Sequence, residues 1–233
     1  MSNIDEAAAQ ALPDSGFVFS RPEAALVVID PQNDFLSPKG AGWPVFGQSV
    51  TENNTVANLA RLFEAAESGD MTVAISPHYE YPADGQWQFG GPGEHLLQEL
   101  HMFERSGPLT VEGLPGSGAD FLDKLKPFIL DGSTIIASPH KIWGPQTNDL
   151  ALQLRKRGVS QIVLAGMAAN LCVESHLRHL LEEGFEVAVV RDATAAARVA
   201  AGDGYLAALT NYSFLAHAVW VTEDAVSHIR KDA

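Results

Sequence analysis

The sequence predicts an α/β fold in which helices cover both faces of a mostly parallel sheet. Along the 233 residues, short apolar runs rich in β-branched residues alternate with segments of helical period. The runs are apolar at nearly every position, which is typical of strands buried on both faces. With 46% hydrophobic residues and Gly and Pro spread along its length, the chain is long enough for one domain with a large core.

Each element of this alternation has a recognisable pattern. The strand runs are residues 24–29, 71–75, 134–137, 161–164, 186–190 and 218–221. The helical segments are residues 56–67, 119–128, 150–156, 172–182 and 204–212. Residues 1–20 are predicted to be an N-terminal arm, a loose segment or a dimer strap, and residues 21–233 a single domain.

Composition limits the partners and the compartment. The net charge of −14 disfavours nucleic acid and anionic membrane surfaces, so the expected partners are a small molecule or another copy of the chain. No apolar run is long enough for a membrane span. The first residues carry acids before alanines, unlike a secretory signal, and the single cysteine fits a reducing compartment, so we expect a cytoplasmic protein.

Three polar residues follow predicted strands, where ligands bind in parallel α/β sheets. Asp30 ends the run "ALVVID" and is either a general base or a turn residue before Pro31. Lys141 follows the third strand and is either part of a semi-apolar site or a solvated surface charge. Cys172, the only cysteine, begins the helical segment "CVESHLRHLLEEG". A helix N-terminus favours its thiolate, whereas the alternative is an inert core thiol.

These residues lie in motifs that resemble the isochorismatase-like, or cysteine hydrolase, superfamily. The motifs are "ALVVIDPQNDFL", "HKIWGPQTNDLALQLRKRG" and "GMAANLCV". The resemblance implies a doubly wound, six-stranded, Rossmann-like three-layer fold and a catalytic triad of Asp30, Lys141 and Cys172. It also implies an oxyanion hole formed by the backbone N–H groups of Ala168 and Cys172, with a cis peptide bond between Met167 and Ala168.

What the resemblance implies for function is hydrolysis of a small-molecule amide, ureide or imide. Cys172 would attack the carbonyl carbon to form a thioester, Asp30 would move the protons, and Lys141 would hold both anions in place. Ala168 and Ala169 stand where a threonine is common in the superfamily, so a side-chain hydroxyl is lost there. The alternative is a catalytically silent member that binds a metabolite or serves as an assembly subunit.

No metal or other cofactor is expected. Zinc-dependent nicotinamidases of the superfamily carry an Asp-x-His pair in the region "AISPHYEY", and Ser76 occupies the aspartate position here. His78 is instead interpreted as lining the substrate pocket.

Residues 78–115 form a long segment rich in aromatic residues, Gly and Pro, which predicts a functional loop or lid. The predicted substrate-binding residues are Phe35, Trp43, His78, Tyr79, Trp87, Trp143 and Met167. The superfamily commonly forms dimers or tetramers, and the apolar segment 204–221, with Leu206, Leu209 and Tyr212, predicts a homo-oligomer interface.

Overall fold

The central sheet of the computed structural model, which describes residues 12–230, contains six parallel strands. They are β1 (Ala24–Ile29), β2 (Thr72–Ser76), β3 (Ile135–Ile136), β4 (Gln161–Met167), β5 (Glu186–Ala195) and, after a short antiparallel pair, β8 (Ala218–Trp220). The pair consists of β6 (Arg198–Val199) and β7 (Gly202–Asp203). The spatial order β3-β2-β1-β4-β5-β8 confirms the doubly wound topology, with its switch point between β1 and β4.

Nine α-helices connect or flank the strands in the described part of the chain. They are α1 (Asn33–Leu36), α2 (Trp43–Glu52), α3 (Thr55–Gly69), α4 (Pro92–Glu99), α5 (Lys126–Ile129), α6 (Leu150–Lys156), α7 (Glu174–Glu182), α8 (Gly204–Leu215) and α9 (Thr222–Ile229). The predicted helix at 150–156 is confirmed, whereas the one predicted at 119–128 is only a single turn at its end. None of the described helices combines the length and apolarity that crossing a membrane requires.

Strand β1 forms the centre of the core because it is flanked by parallel neighbours on both sides. All six of its residues are buried, as the continuous apolar run predicts. Its last residue, Ile29, is in register with Ser76 of β2 and with Gly166 of β4. The backbone N–H of Asp30, the next residue, donates to the Ser76 carbonyl at 3.0 Å. Asp30 is thereby fixed at the switch point.

Gly166 allows β4 to approach β1 closely beside Asp30. Its φ of +113° lies in a region that residues with a Cβ avoid. A Cβ added there would lie 2.1 Å from the Ile29 carbonyl oxygen and 2.5 Å from the Ile29 nitrogen. The register between β4 and β5 also shifts between Leu164 and Gly166. The irregularity redirects the end of β4 toward the segment that carries Cys172.

The first part of the predicted N-terminal arm, residues 1–11, lies outside the described residues. The following residues contact the edge of the sheet at β8. Ser15 Oγ donates to the His217 carbonyl at 2.6 Å, and the ring of Phe19 packs edge-on against Trp220 at 5.5 Å. This part of the arm is therefore attached to the domain.

Helix α8 contributes to the core as well as to the surface. Tyr212, which the sequence placed on a possible subunit interface, is fully buried, and its hydroxyl donates to the Ala169 carbonyl at 2.7 Å. Leu206 and Phe214 of the same helix are exposed. The expected homo-oligomer stays a prediction.

The close approach at Gly166 predicts a large loss of stability for Gly166→Ala. The added methyl collides with the backbone of Ile29 and requires a disfavoured φ, so the free energy of unfolding should fall by about 3 kcal/mol or more. Gly158→Ala is the matched control, because Gly158 also has positive φ but nothing lies within 4 Å of its added Cβ. Gly158→Ala should lower the free energy of unfolding by only about 1 kcal/mol. Urea denaturation measures both, and equal losses would contradict the collision.

Candidate active site

Four buried side chains converge at the carboxyl ends of the central strands. One potential ligand atom from each of Asp30, His78, His140 and Cys172 lies within 4.8 Å of the other three. Asp30 follows β1, His78 follows β2, His140 follows β3 and Cys172 follows β4, so the cluster lies at the topological switch point. We call these four residues the buried quartet. Each is at most 1% exposed.

Asp30 has an unusual backbone conformation and a single hydrogen bond to its carboxylate. Its φ is +48°, in the left-handed region that only a few per cent of non-glycine residues occupy. Oδ1 lies 2.9 Å from His140 Nε2, whereas the buried Oδ2 has no hydrogen-bond partner among the described residues. A buried carboxylate oxygen without a partner is costly and marks a functional position.

Cys172 lies in a π-helical turn, Ala169–Val173, that leads directly into α7. π-Turns are rare and are frequent at functional sites. Burial raises the pKa of the Cys172 thiol well above its ordinary value, and the Asp30 carboxylate adds to the effect. The backbone N–H groups of Ala168 and Cys172 oppose the shift without cancelling it. The helix N-terminus was expected to favour a thiolate, but in the resting protein burial outweighs it and the thiol keeps its proton.

The turn before Cys172 has the backbone that the sequence motif implies. The peptide bond between Met167 and Ala168 is cis. The Ala168 carbonyl accepts from the N–H groups of Leu171 and Val173, at 3.0 and 3.1 Å. The Ala169 carbonyl accepts the Tyr212 hydroxyl, so the turn is held by α8 as well as by its own hydrogen bonds.

Lys141 is not brought into the quartet. Its ammonium pairs with the Asp84 carboxylate, donates to the Tyr79 carbonyl and lies 4.0 Å above the ring centre of Tyr81. The neighbouring His140 contacts Asp30 instead. Residues 78 and 140 form a parallel β-bridge, and successive side chains of an extended segment point to opposite sides. The side chain of residue 140 therefore faces the quartet and that of residue 141 faces away.

His78 completes the quartet through its free ring nitrogen. Its Nε2 lies 2.9 Å from the carboxylate of Glu80, and its buried Nδ1 has no hydrogen-bond partner among the described residues. The rings of His78 and His140 are 4.9 Å apart. Burial lowers the pKa of His78, and Glu80 only partly offsets this effect, so the ring is neutral near pH 7.

A hydrogen-bonded chain supports Cys172 from behind. The Asn148 amide donates to Ser76 Oγ at 2.8 Å, and Ser76 Oγ lies 2.8 Å from His176 Nε2. His176 Nδ1 then lies 2.7 Å from the Cys172 carbonyl. Burial lowers the pKa of His176 well below its ordinary value. A neutral His176 can donate to the Cys172 carbonyl while accepting from Ser76.

A cavity of about 430 Å³ adjoins the turn that carries Cys172, and we call it the elbow cavity. Asn170 and Leu171 form one wall, and Trp143, Phe46 and Val199 contribute further apolar surface. The buried Oδ1 of Asn170 has no hydrogen-bond partner among the described residues. No Lys, Arg or His within residues 12–230 lines this cavity, and Asp203 is its one charged lining residue there.

The predicted substrate-binding residues are dispersed in the structure. Trp143 lines the elbow cavity, but Phe35 packs in the core against Phe46 and Phe103, and Met167 is fully buried in the core. The remaining ones do not line the elbow cavity either: Trp43 packs on the core, His78 belongs to the quartet, Tyr79 stacks under Arg105, and Trp87 is substantially exposed.

The long segment 78–115 borders a second cavity with a volume of about 640 Å³. The residues that line this cavity lie far from Cys172 along the sequence. Its lining includes Glu80, Tyr81 and Arg105 from this segment. The elbow cavity is lined partly by α4, which belongs to this segment, and partly by β6, β7 and α8.

A doubly wound sheet with a buried thiol and carboxylate at its switch point defines a class of α/β proteins in which a cysteine lies in the turn between a strand and a helix. The isochorismatase domain family matches residues 24–225, and the chain belongs to that family.

Curated relatives agree with this membership, and a solved structure has the same fold. Ureidoacrylate amidohydrolase of Variovorax paradoxus is 29% identical over 182 residues, which cover 74% of this chain and 68% of the relative. The protein of the same name from Cronobacter turicensis is 30% identical over 186 residues, covering 76% of each chain. A cysteine hydrolase from Pseudomonas syringae pv. phaseolicola has the same fold, with a TM-score of 0.76 and 20% identity, over 94% of this chain and 98% of its own.

The buried neutral histidines predict an acid-sensitive fold. His78 and His176 have lowered pKa values in the folded protein, whereas in the unfolded chain they take up protons near pH 6.5. The unfolded state therefore binds more protons in acid, and the free energy of unfolding should fall as the pH decreases below about 6.5. Thermal denaturation from about pH 7 to about pH 5 measures this fall.

A substitution separates this effect from general acid denaturation. His176→Gln removes one of the two groups and should make the pH dependence shallower, although it lowers stability at neutral pH. The exposed His95 provides the control, since His95→Gln should leave the slope unchanged. An unchanged slope in His176→Gln would contradict the assignment.

Proposed function

We propose that the protein hydrolyses a C–N bond of a small amide, ureide or imide through a thioester on Cys172. The observation that carries the proposal is the buried thiol and carboxylate within one cluster at the switch point of an isochorismatase domain. The name of the amidohydrolases from Variovorax and Cronobacter supports the same class of bond.

The proposed reaction uses Asp30 as the proton carrier. Asp30 takes the proton of the Cys172 thiol as the sulfur attacks the carbonyl carbon. When the C–N bond breaks, that proton passes to the leaving nitrogen, and the acyl group remains on sulfur as a thioester. Asp30 then takes a proton from the attacking water, and hydrolysis releases the acid and restores the thiol. A resting thiol with a raised pKa fits this sequence, because the thiolate forms only during attack.

The tetrahedral intermediate carries a negative oxygen that needs fixed donors. The backbone N–H groups of Ala168 and Cys172 are the proposed donors. They already lie close enough to the sulfur to lower its pKa. Neither donor requires a particular side chain, so the alanines at 168 and 169 are compatible with this role.

His140 is the proposed positioning residue in place of Lys141. Its hydrogen bond to Oδ1 fixes the Asp30 carboxylate and leaves Oδ2 for the thiol proton. Because Lys141 is committed to Asp84 and the Tyr79 carbonyl, it holds the 78–115 segment rather than the reacting anions.

The elbow cavity favours an uncharged, largely apolar substrate. Its apolar walls contain no cationic side chain within residues 12–230, so a substrate carboxylate would lose its hydration without gaining a partner. A neutral amide or ureide satisfies this condition.

A second candidate is a family member without hydrolytic activity that binds a metabolite. It is favoured by the position of Lys141, whose ammonium pairs with Asp84 outside the quartet. Ammonia release from a panel of primary amides and ureides distinguishes the two functions, because a binding protein releases none.

Single substitutions test the proposed roles. Cys172→Ala should lower kcat about a thousandfold or more, since only the thiol is a sufficient nucleophile. His140→Leu should lower kcat about tenfold to a hundredfold with little change in KM, because Asp30 loses its orientation. His140→Gln, which keeps a donor, should retain most of the activity. Lys141→Gln should change kcat less than about tenfold.

Steady-state kinetics on the same amide measures all four variants, and circular dichroism verifies folding. A loss in Lys141→Gln as large as that in Cys172→Ala would restore Lys141 to the catalytic triad. Equal losses in His140→Leu and His140→Gln would contradict the positioning role.

The charge of the preferred substrate is a separate prediction. kcat/KM should be at least about tenfold higher for uncharged amides than for matched amides that carry a carboxylate, because the cavity has no cation to pair with it. Val199→Lys adds a cation to the cavity wall and should narrow this ratio. Val18→Lys, at an exposed position outside the cavity, is the matched control. A preference for the charged amides in the unmodified protein would contradict the prediction.

A further inference from the structure

The four side chains of the quartet also have the composition of a metal-binding site. The proposed hydrolysis uses no metal ion. It offers a carboxylate from Asp30, an imidazole from each of His78 and His140, and the sulfur of Cys172. Nitrogen and sulfur donors with one carboxylate are the ligands that Zn²⁺ binds in tetrahedral sites. The nicotinamidase pattern in the sequence would instead place a carboxylate at Ser76, which here bonds to His176. The donor set of the quartet therefore differs from that of the zinc-dependent nicotinamidases.

The donor atoms lie close to the spacing that a tetrahedral ion requires. They are within 4.8 Å of one another, and ligand atoms about 2.0 to 2.3 Å from a zinc ion lie roughly 3.3 to 3.8 Å apart. An ion in the quartet would draw the most distant pair of donor atoms together by about 1 Å.

Three quartet atoms are buried without a protein partner. Asp30 Oδ2, His78 Nδ1 and His140 Nδ1 make no hydrogen bond to any described residue. A buried polar atom without a partner is costly, and several in one cluster call for an ion or another ligand. The Cys172 thiol lies 3.9 Å from the Ile142 carbonyl and close to the Asp30 carboxylate.

Glu80 supplies the supporting contact that zinc-binding histidines commonly have. Its carboxylate lies 2.9 Å from His78 Nε2. A proton on Nε2 shared with Glu80 leaves a lone pair on Nδ1, which is the nitrogen without a partner. Carboxylate partners of this kind orient the ring and raise its affinity for the metal.

We propose that the buried quartet binds one Zn²⁺ ion through Asp30, His78, His140 and Cys172. The ion displaces the thiol proton to solvent, and a sulfur–zinc bond forms without any change of oxidation state. The carboxylate and the thiolate balance the two positive charges, so the complex is neutral overall, as burial requires. Four protein ligands leave no open position on a tetrahedral ion, so the metal closes the site instead of activating water.

The consequence for activity rests on the proposed function. Zinc occupies both the nucleophile and its proton carrier, so it inhibits hydrolysis and the metal-free protein is the active form. Zinc sequestration and amide hydrolysis are then mutually exclusive states of the same residues.

Cobalt is the probe for the site because its spectrum reports its ligands. The full chain, stripped of metal with a chelator, is titrated with Co²⁺ in an absorbance experiment. We expect visible bands of tetrahedral cobalt and a near-ultraviolet thiolate-to-cobalt band, both saturating at one equivalent and both abolished by Zn²⁺. Cys172→Ser should lose the near-ultraviolet band.

A matched pair of glutamate variants tests the geometry. Glu80→Gln should weaken Co²⁺ binding about tenfold to a hundredfold, because His78 loses its orienting partner. Glu104→Gln is the control, since Glu104 pairs with the exposed His101 at 2.8 Å and lies outside the quartet. Circular dichroism verifies that both variants fold.

Absence of the near-ultraviolet band at saturating Co²⁺ would overturn the proposal, and so would equal affinity in Glu80→Gln and the unmodified protein. The outcome for hydrolysis is read separately. Cobalt binding without hydrolysis of any amide rejects the proposed function and leaves the metal site standing, whereas hydrolysis without the cobalt band rejects the metal site alone.

Discussion

The structure around the site depends on the burial of one carboxylate, that of Asp30, at the end of the central strand. A buried anion is stable only if neighbouring groups are arranged around it, and the cost of leaving it unpaired reaches several kcal/mol, about 3 to 5. The contact with His140 meets this requirement in part, while the main-chain bond to Ser76 and the left-handed φ fix the position of the residue that carries the carboxylate. The same carboxylate raises the pKa of the Cys172 thiol, so it determines the resting state of the nucleophile.

Much of the fold is predictable from hydrophobic periodicity. The run 24–29 becomes β1 with the predicted bounds, because six consecutive apolar residues are all buried only where both faces of the sheet are covered. Helix α2 was missed because Pro44 and Gly47 lie within it, although Pro is accommodated in its first turn and Gly47 packs beneath the ring of Trp43. The short β3 was overestimated because only two residues of its apolar run pair with β2.

The candidate site was predictable in part. Asp30 and Cys172 were identified from their positions after apolar runs, where the sheet topology brings them together. Lys141 was predicted from its position after the third strand and from the family resemblance, but a shift of one residue in an extended segment reverses the direction of the side chain. That direction is set by the bridge between residues 78 and 140, a tertiary contact across a long loop. The elbow cavity was missed because its apolar lining comes from elements that lie far apart in the chain.

The ion pair between Lys141 and Asp84 connects the long segment 78–115 to the residue beside His140. Residue 141 is the neighbour of His140, whose ring holds the Asp30 carboxylate. The position of the backbone beside His140 therefore depends on contacts with this surface segment as well as on the bridge to residue 78.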